Sequence, residues 1–378
     1  MLVPVEDVIG GIIHYLVPFL LMITPIIFFH ELGHFLVGRA CGVRIDTFSI
    51  GFGPALVSWR DRLGTQWKIA AVPLGGYVKF FGDDNAASTP DRERLHQLSA
   101  AERLVAFPLK PLWQRALVVT AGPFANFILA IVIMAAFLMA FGSYLAAPLV
   151  GGVVPGSAAA NAGFHKGDVI VSVNGTSIQS FDEIRSFVLD QPGEPMKVRL
   201  RRGEQLLSVS VTPRLTWENL PGGRQRVGML GITGPTSLKD WKHVTYGPVG
   251  ATVEACNETW GIVAITFEHL GRMVSGAKKT NELSGIIGIA KLSGDVAAIS
   301  YLSLFRLAAL ISISIGLVNL FPIPILDGGH LLYYAFEAVL GRPLGAKAQD
   351  LGFRLGLAVM VCLMLLAAWN DLVRLNLF

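Results

Sequence analysis

Phe28-Phe29-His30-Glu31-Leu32-Gly33-His34-Phe35 is the stretch whose reading decides the fold. It reads H-E-x-x-H. On a helix, positions i and i+4 lie one above the other on the same face. Both imidazoles can then grip one ion, with Glu31 beside them. Zinc hydrolases use this spacing: two His nitrogens hold the metal and the Glu takes a proton from its water. The setting adds the rest. An apolar run from Val8 to Phe29 leads into the motif, interrupted only by His14 and a few Gly, Pro, Tyr and Thr residues. A lone His on an apolar face is usually a satisfied core residue. Two His and a Glu at this spacing, in a chain with 8 His, are a stronger signal. A charged side chain near mid-bilayer costs about 2.5–3.5 kcal/mol even on lenient insertion scales, so such groups are functional by default.

The 378 residues are 52% hydrophobic and only 15% charged, with 41 Gly and 20 Pro. That balance excludes an ordinary soluble domain and fits a multi-spanning membrane protein. The net charge of +4 reads as cytoplasmic-loop charge, not as nucleic-acid binding. Cys41, Cys256 and Cys362 form no C-x-x-C pair, which argues against a disulfide framework and a Cys-based zinc site. Cys41 reads as a small buried hydrophobe. The first apolar run follows Glu6 and Asp7 instead of a positive n-region, so it reads as a retained span and not a signal peptide.

Four stretches are long enough to cross a bilayer: Val8–Gly38, Leu117–Leu138, Leu302–Leu320 and Leu351–Trp369. Pro18 and Pro25 predict a kink or local break in the first. No Lys or Arg precedes Arg39, and the segment up to Arg115 is rich in both. The loop between the last two spans carries Arg342 and Lys347. The positive-inside rule makes both loops cytoplasmic, with both termini and the loop from 143 to 300 extracytoplasmic. The expected fold is a polytopic α-helical membrane protein of four transmembrane helices, with a membrane-associated β-hairpin or sheet and an inserted α+β domain. The division runs 1–41 (first span), 42–115 (β region and loop), 116–141 (second span), 150–213 (inserted domain), 214–300 (amphipathic linker), 301–345 (third span) and 350–370 (fourth span).

Val43–Ser58 and Gln66–Phe81 read as β-rich, joined by a polar turn at Arg60–Gly64. An edge strand through Gly75, Gly76 and Tyr77 could take an extended peptide by strand addition. Either it dips into the membrane or it is a plain cytoplasmic hairpin. Asp83–Ala101 reads as a polar loop. In Gly122-Pro123-Phe124-Ala125-Asn126 the small residues permit close helix approach, and Asn126 in lipid needs a polar partner. Within 150–213, Val169–Val173 is a strand, Asn174-Gly175 a tight turn, and Ser180-Phe181-Asp182-Glu183 a capping box. Met196–Arg202 and Gln205–Thr212 alternate as a hairpin. With Pro155–Ala159 and Gly163–Asp168, this unit resembles the bacterial PDZ module, which implies extended peptide ends as its ligands. Val249–Met273 has an amphipathic helical pattern.

Two His and one Glu leave a catalytic zinc site one ligand short. The best third ligand is Asp327 in Asn319-Leu320-Phe321-Pro322-Ile323-Pro324-Ile325-Leu326-Asp327-Gly328, where two prolines must break the helix at the end of a span. Broken backbone at membrane depth survives only against protein or a wet cavity. His330 is the rival.

His30-Glu31-x-x-His34 together with N-x-x-P-x-P-x-L-D-G at Asn319–Gly328 resembles the site-2 protease family of intramembrane zinc metalloproteases. The PDZ-like insertion, Gly51–Pro54, Pro73–Lys79 and Ala121-Gly122-Pro123 with Asn126 are similar to its bacterial RseP-type branch. The resemblance runs from about residue 20 to 345. It implies one Zn2+ per chain on His30, His34 and Asp327, with Glu31 as base. It also implies substrate contacts at Asn319, with Gly75, Gly76, Tyr77 and Asn126 as further candidates. The expected partners are single-pass transmembrane substrates such as anti-sigma factors or remnant signal peptides, peptide ends at the PDZ-like unit, and the lipid bilayer of a bacterial inner membrane. The expected role of the PDZ-like unit is a size filter. Two features depart from the family pattern: Gly285-Ile286-Ile287-Gly288 stands where Gly-Pro-Ile-Gly is usual, and one PDZ-like unit is visible where some members carry two. The rivals are a zinc transporter or sensor and a non-proteolytic PDZ scaffold; neither needs Glu31 as a base.

Overall fold

The computed structural model describes residues 5–83, 95, 97–191, 193–220, 223–274 and 285–374. Most of the polar loop expected at Asp83–Ala101, namely 84–94 and 96, lies outside them. The chain forms two compact units, one of residues 1–135, 252–264 and 280–378, the other of 136–251 and 265–279. In chain order the first unit begins with α1 (Val5–Ala40), β1 (Ile45–Arg60), β2 (Gln66–Phe80), a short α2 (Ala100–Val105) and α3 (Leu112–Phe141). Among the described residues, four helical stretches are long and apolar enough to cross a membrane: Ile13–Ala40, Leu112–Phe141, Tyr301–Asn319 and Lys347–Val373.

The helix α1 runs unbroken through Pro18 and Pro25, where a local break was one expectation. Each proline removes one backbone donor, and tertiary packing of the helix offsets the loss. Phe19, Met22 and Ile26 are buried against Leu304 and Leu307. Small residues set how closely α1 meets α3: a Cβ on Gly33 would strike the Ala121 carbonyl.

The two long strands fold into more than a simple hairpin. Ala55–Arg60 pairs with Gln66–Ala70 across the turn. The start of β1 is registered twice, with Phe48 opposite both Trp67 and Val78, and Ile50 opposite both Ile69 and Gly76. Thr47–Ile50 therefore sits between Gln66–Ile69 and Gly76–Lys79. The reversal falls at Gly51 and Gly53, whose φ of +89° and +88° few other residues adopt. Phe48 stacks on Trp67 at 4.4 Å and packs edge-on to Phe35 of α1, which seats this sheet on the helix that carries the motif.

After the second unit come α6 (Pro248–Val274), α7 (Ile286–Ile299), α8 (Tyr301–Asn319), α9 (Asp327–Leu340) and α10 (Ala346–Arg374). Asp327 does not end a span, as its sequence context implied; it opens a separate helix after the irregular segment 320–326. Pro322 and Pro324 forbid continuation of α8, and Ile325 sits at φ +110°, strained for a β-branched residue. Gly328 and Gly329 let α9 fold back onto the carbonyls of Leu320, Phe321 and Ile323, where a Cβ would collide. The Gly285–Gly288 motif also has a place. The backbone N–H groups of Gly285 and Gly288 donate to the buried Asp371 carboxylate of α10 at 2.8–3.1 Å, which satisfies the start of α7.

The second unit contains β3 (Ser143–Ala146), β4 (Gly152–Val153), α4 (Ala158–Asn161), β5 (Val169–Val173), β6 (Thr176–Ser177), α5 (Phe181–Asp190), β7 (Met196–Arg202), β8 (Gln205–Val211), β9 (Arg214–Leu220), β10 (Gly223–Met229), β11 (Ile232–Thr233) and β12 (Trp241–Val244). One sheet has the order β6-β5-β7-β8; β11 pairs with β4, β12 with β3, and β9 with β10. Arg214–Leu220, Gly223–Met229, Ile232–Thr233 and Trp241–Val244, inside the 214–300 read from sequence as linker, are thus strands of this unit. Leu230 shares its core with Val150, Ile170, Met196 and Leu200, and its carbonyl accepts from the Ala159 N–H at 2.9 Å.

Asp168 is fully buried in this unit. Burial alone would raise its carboxyl, but Arg202 donates from Nε and Nη2 at 2.8 Å and the His165 N–H at 2.8 Å, and together they hold it below the usual range. A carboxylate whose folded value is depressed adds stability above the unfolded value, about 3.9, and loses it as pH falls through the folded one. Amide-exchange protection of Val169–Val173 is expected to drop steeply below about pH 4. Asp168→Asn should start lower and show a flatter dependence.

Candidate metal centre

His30 and Glu31 lie one turn of α1 before His34. Asp327, almost three hundred residues later, is delivered by the first turn of α9. His30 Nε2 lies 3.2 Å from Asp327 Oδ2, His34 Nε2 lies 3.4 Å from the same oxygen, and the two Nε2 atoms are 3.3 Å apart. Among the described residues this is the one group of three metal-ligating side chains. The three atoms form a nearly equilateral triangle. Tetrahedral zinc with bonds near 2.0–2.1 Å puts its ligand atoms about 3.3–3.4 Å apart, so the triangle has the edge length zinc requires. Asp327 Oδ2 is buried and makes no hydrogen bond, although two ring nitrogens are close by. A carboxylate oxygen desolvated this way needs a cation. The donor set of two imidazoles and a carboxylate suits zinc, whose catalytic sites use three protein ligands and a water.

The far sides of both rings are held by α3. His34 Nδ1 donates to the Val118 carbonyl at 2.9 Å, which orients the ring with Nε2 toward Asp327, where it could take a metal. His30 Nδ1 is 3.3 Å from the side-chain amide of fully buried Asn126, whose Oδ1 otherwise lacks a partner. Metal on His30 Nε2 places the proton on Nδ1. The Asn126 amide then faces the ring with its oxygen, and that orientation removes the orphaned acceptor. Asn126 is itself fixed by α8, where Ser312 Oγ donates to the Asn126 carbonyl at 2.8 Å. Asn126 therefore stands behind the His30 ring. Gly122, one turn after Val118, is where His34 rests: a Cβ there would overlap the imidazole.

Glu31 faces β2. It faces the Val78 backbone and lies close to His30, His34 and Asp327. A Cβ on Gly76 would come within 3.0 Å of Glu31 Cγ and 2.9 Å of the Ser49 carbonyl. Gly75 is covered by the Phe52 ring, which stacks on Tyr77 at 6.2 Å. Gly75, Gly76 and Tyr77 thus run past the carboxylate of Glu31. Asn319 is the last residue of α8, eight positions before Asp327. His330 sits three residues beyond Asp327 on α9 and is not part of the ligand triangle.

The Peptidase family M50 sequence profile matches residues 18–363. This chain belongs to peptidase family M50. M50 relatives align over nearly its whole length. Metalloprotease MmpA of Caulobacter vibrioides is 42% identical over 97% of this chain and 98% of its own. A protein of Agrobacterium fabrum that carries a provisional zinc metalloprotease name is 43% identical over 96% of this chain and 97% of its own. Among solved structures, the PDZ domain of an SdrC-like protein from Listeria monocytogenes covers 24% of this chain at 22% identity, with a TM-score of 0.19. The M50 chain is accordingly a zinc metalloprotease with apolar, membrane-type helices. Sequence reasoning had passed over Val118 and the role of Gly122. A carbonyl leaves no trace in residue type, but the Ala121-Gly122-Pro123 run was a signal of close approach.

Proposed function

We propose that this M50 protein hydrolyses peptide bonds within the transmembrane segments of single-pass membrane proteins, with one zinc ion per chain on His30, His34 and Asp327. The observation that carries the reading is the ligand triangle, with Glu31 placed between it and the Gly76–Phe80 strand. When bound, zinc acidifies a water and polarises the scissile carbonyl. Glu31 accepts the proton and returns one to the leaving amine. Its carboxylate faces the Val78 backbone of the strand. A helical substrate hides its carbonyls in its own hydrogen bonds, so it must unwind before attack. Pairing with the strand through Gly75, Gly76 and Tyr77 holds it extended beside Glu31. Asn319 supplies an amide to the carbonyl oxygen. Val118 and Asn126 keep both rings in the ligating tautomer.

Lys and Arg placement puts the metal centre toward the cytoplasmic face and the second unit outside. A folded unit there favours substrates whose outer domain has already been trimmed. The test is reconstitution in vesicles with a single-pass substrate carrying either a short or a bulky folded outer segment. The zinc-loaded protein should cut the short form within the membrane and spare the bulky one. Stripping the metal should abolish cutting, and stoichiometric zinc should restore it. Cleavage that survives complete metal removal would rule the reading out; equal cutting of both substrates would rule out the filter alone.

A further inference from the structure

A metal centre assembled from two distant segments needs something to hold them in register. His30 and His34 are neighbours on one helix. Asp327 comes on α9, which follows a strained connection at Ile325, so the direction of α8 does not dictate that of α9. Ten residues beyond Asp327, α9 carries Glu337. Arg115, near the start of α3, grips it with both arms of the guanidinium: Nη1 donates to Oε2 at 3.1 Å and Nη2 to Oε1. Arg115 Nε donates to the Lys110 carbonyl at 3.0 Å, and its Cζ lies 4.9 Å from the centre of the Tyr334 ring. The two side chains are only 13% and 16% exposed. A forked, mostly buried pair fixes geometry in a way an exposed one does not. Arg354–Asp350, at 74% and 60% exposure, is the contrast on α10.

The same helix α3 supplies the Val118 carbonyl to His34 and Asn126 to His30. We propose that Arg115 and Glu337 are positioning residues of the metal centre, locking α9 to the helix that already orients both imidazoles and so placing the Asp327 carboxylate. The inference rests on the metalloprotease reading above. Its leverage follows from helix geometry. Ten residues span about 15 Å, so a tilt of about 10° at the Glu337 end moves Asp327 by roughly 2.6 Å, against a ligand tolerance near ±0.2 Å. The Lys110 carbonyl ties the guanidinium to the segment just before α3, and the Tyr334 ring gives α9 a second contact with it beside Glu337.

The full-length zinc-loaded protein in detergent serves for the test, with Arg115→Lys, which keeps charge but loses the fork, and Glu337→Gln, nearly isosteric. Asp350→Asn is the control. Zinc release to a chromogenic chelator is read alongside the rise in melting temperature that zinc produces. Both variants should release zinc at least about tenfold faster, in the range seen for groups that orient metal ligands, with the control unchanged. The zinc-dependent rise in melting temperature should shrink, because weaker binding contributes less to the folded state. Wild-type release rates, or an equal loss of melting temperature with and without zinc, would show the pair to be structural only. Should Arg115→Lys not fold, Glu337→Gln decides. Failure of the metal reading itself looks different: the wild type would take up no zinc, or His34→Ala would hold it as tightly.

Discussion

Glu31→Gln is expected to retain zinc and to lose cleavage by about 10²–10⁴-fold, the usual contribution of a positioned general base. Gln has the same shape, so the turn of α1 and the rings of His30 and His34 have no reason to move. What disappears is the ability to take a proton at neutral pH. The ligand triangle does not include Glu31, so metal content is the internal control. A transporter or sensor built on the same triangle would be indifferent to the change, as would a scaffold. Mass spectrometry of membrane peptides from cells with wild type or Glu31→Gln reads the outcome directly. Cuts that vanish in the variant, with one zinc still bound, support the base. Cleavage within tenfold of wild type would remove Glu31 from the chemistry.

The local parts of this molecule were legible in its sequence, and the assembled parts were not. The H-E-x-x-H spacing is set by helix geometry alone, so it places two rings and a carboxylate without knowledge of anything distant. Pro322 and Pro324 announce a break for the same reason. That Asp327 opens a new helix depends on Gly328 and Gly329 folding back over carbonyls, a tertiary fact. A β-rich composition marked Val43–Ser58 and Gln66–Phe81, and strands stand at Ile45–Arg60 and Gln66–Phe80. Composition could not reveal that Phe48 has partners on both sides, because pairing is a choice among neighbours and not a local preference. The strands between 214 and 244 escaped notice because burying Leu230 needs only one apolar residue between glycines. Asn126 shows the limit most plainly. Its need for a polar partner was readable from its apolar surroundings; that the partner is a ring of the metal centre was not.

Gly122→Ala should empty the metal centre while leaving the helices intact, the reverse of what the same change does elsewhere. In an ordinary helix interior, Gly→Ala stabilises by about 1 kcal/mol, because alanine loses less backbone freedom on folding. At position 122 the added methyl would overlap the His34 imidazole and come within 2.8 Å of Cδ2. The ring cannot step aside, because Nδ1 is tied to the Val118 carbonyl and Phe35, next along α1, is buried against the β sheet. Nor can α3 withdraw freely, since Gly33 of α1 already rests on Ala121 and Gly316 of α8 rests on Pro123. Loss of His34 from the triangle is the least costly escape, and it leaves two ligands where catalytic zinc uses three. Zinc affinity should fall by at least about 100-fold, the upper end of what misplacing a ligand's support costs, and activity with it. The metal-free variant should melt within a few degrees of metal-free wild type. Tight zinc binding by Gly122→Ala would mean that the contact between α1 and α3 is looser than the packing of Gly33, Ala121 and Gly122 requires, and that His34 does not depend on it.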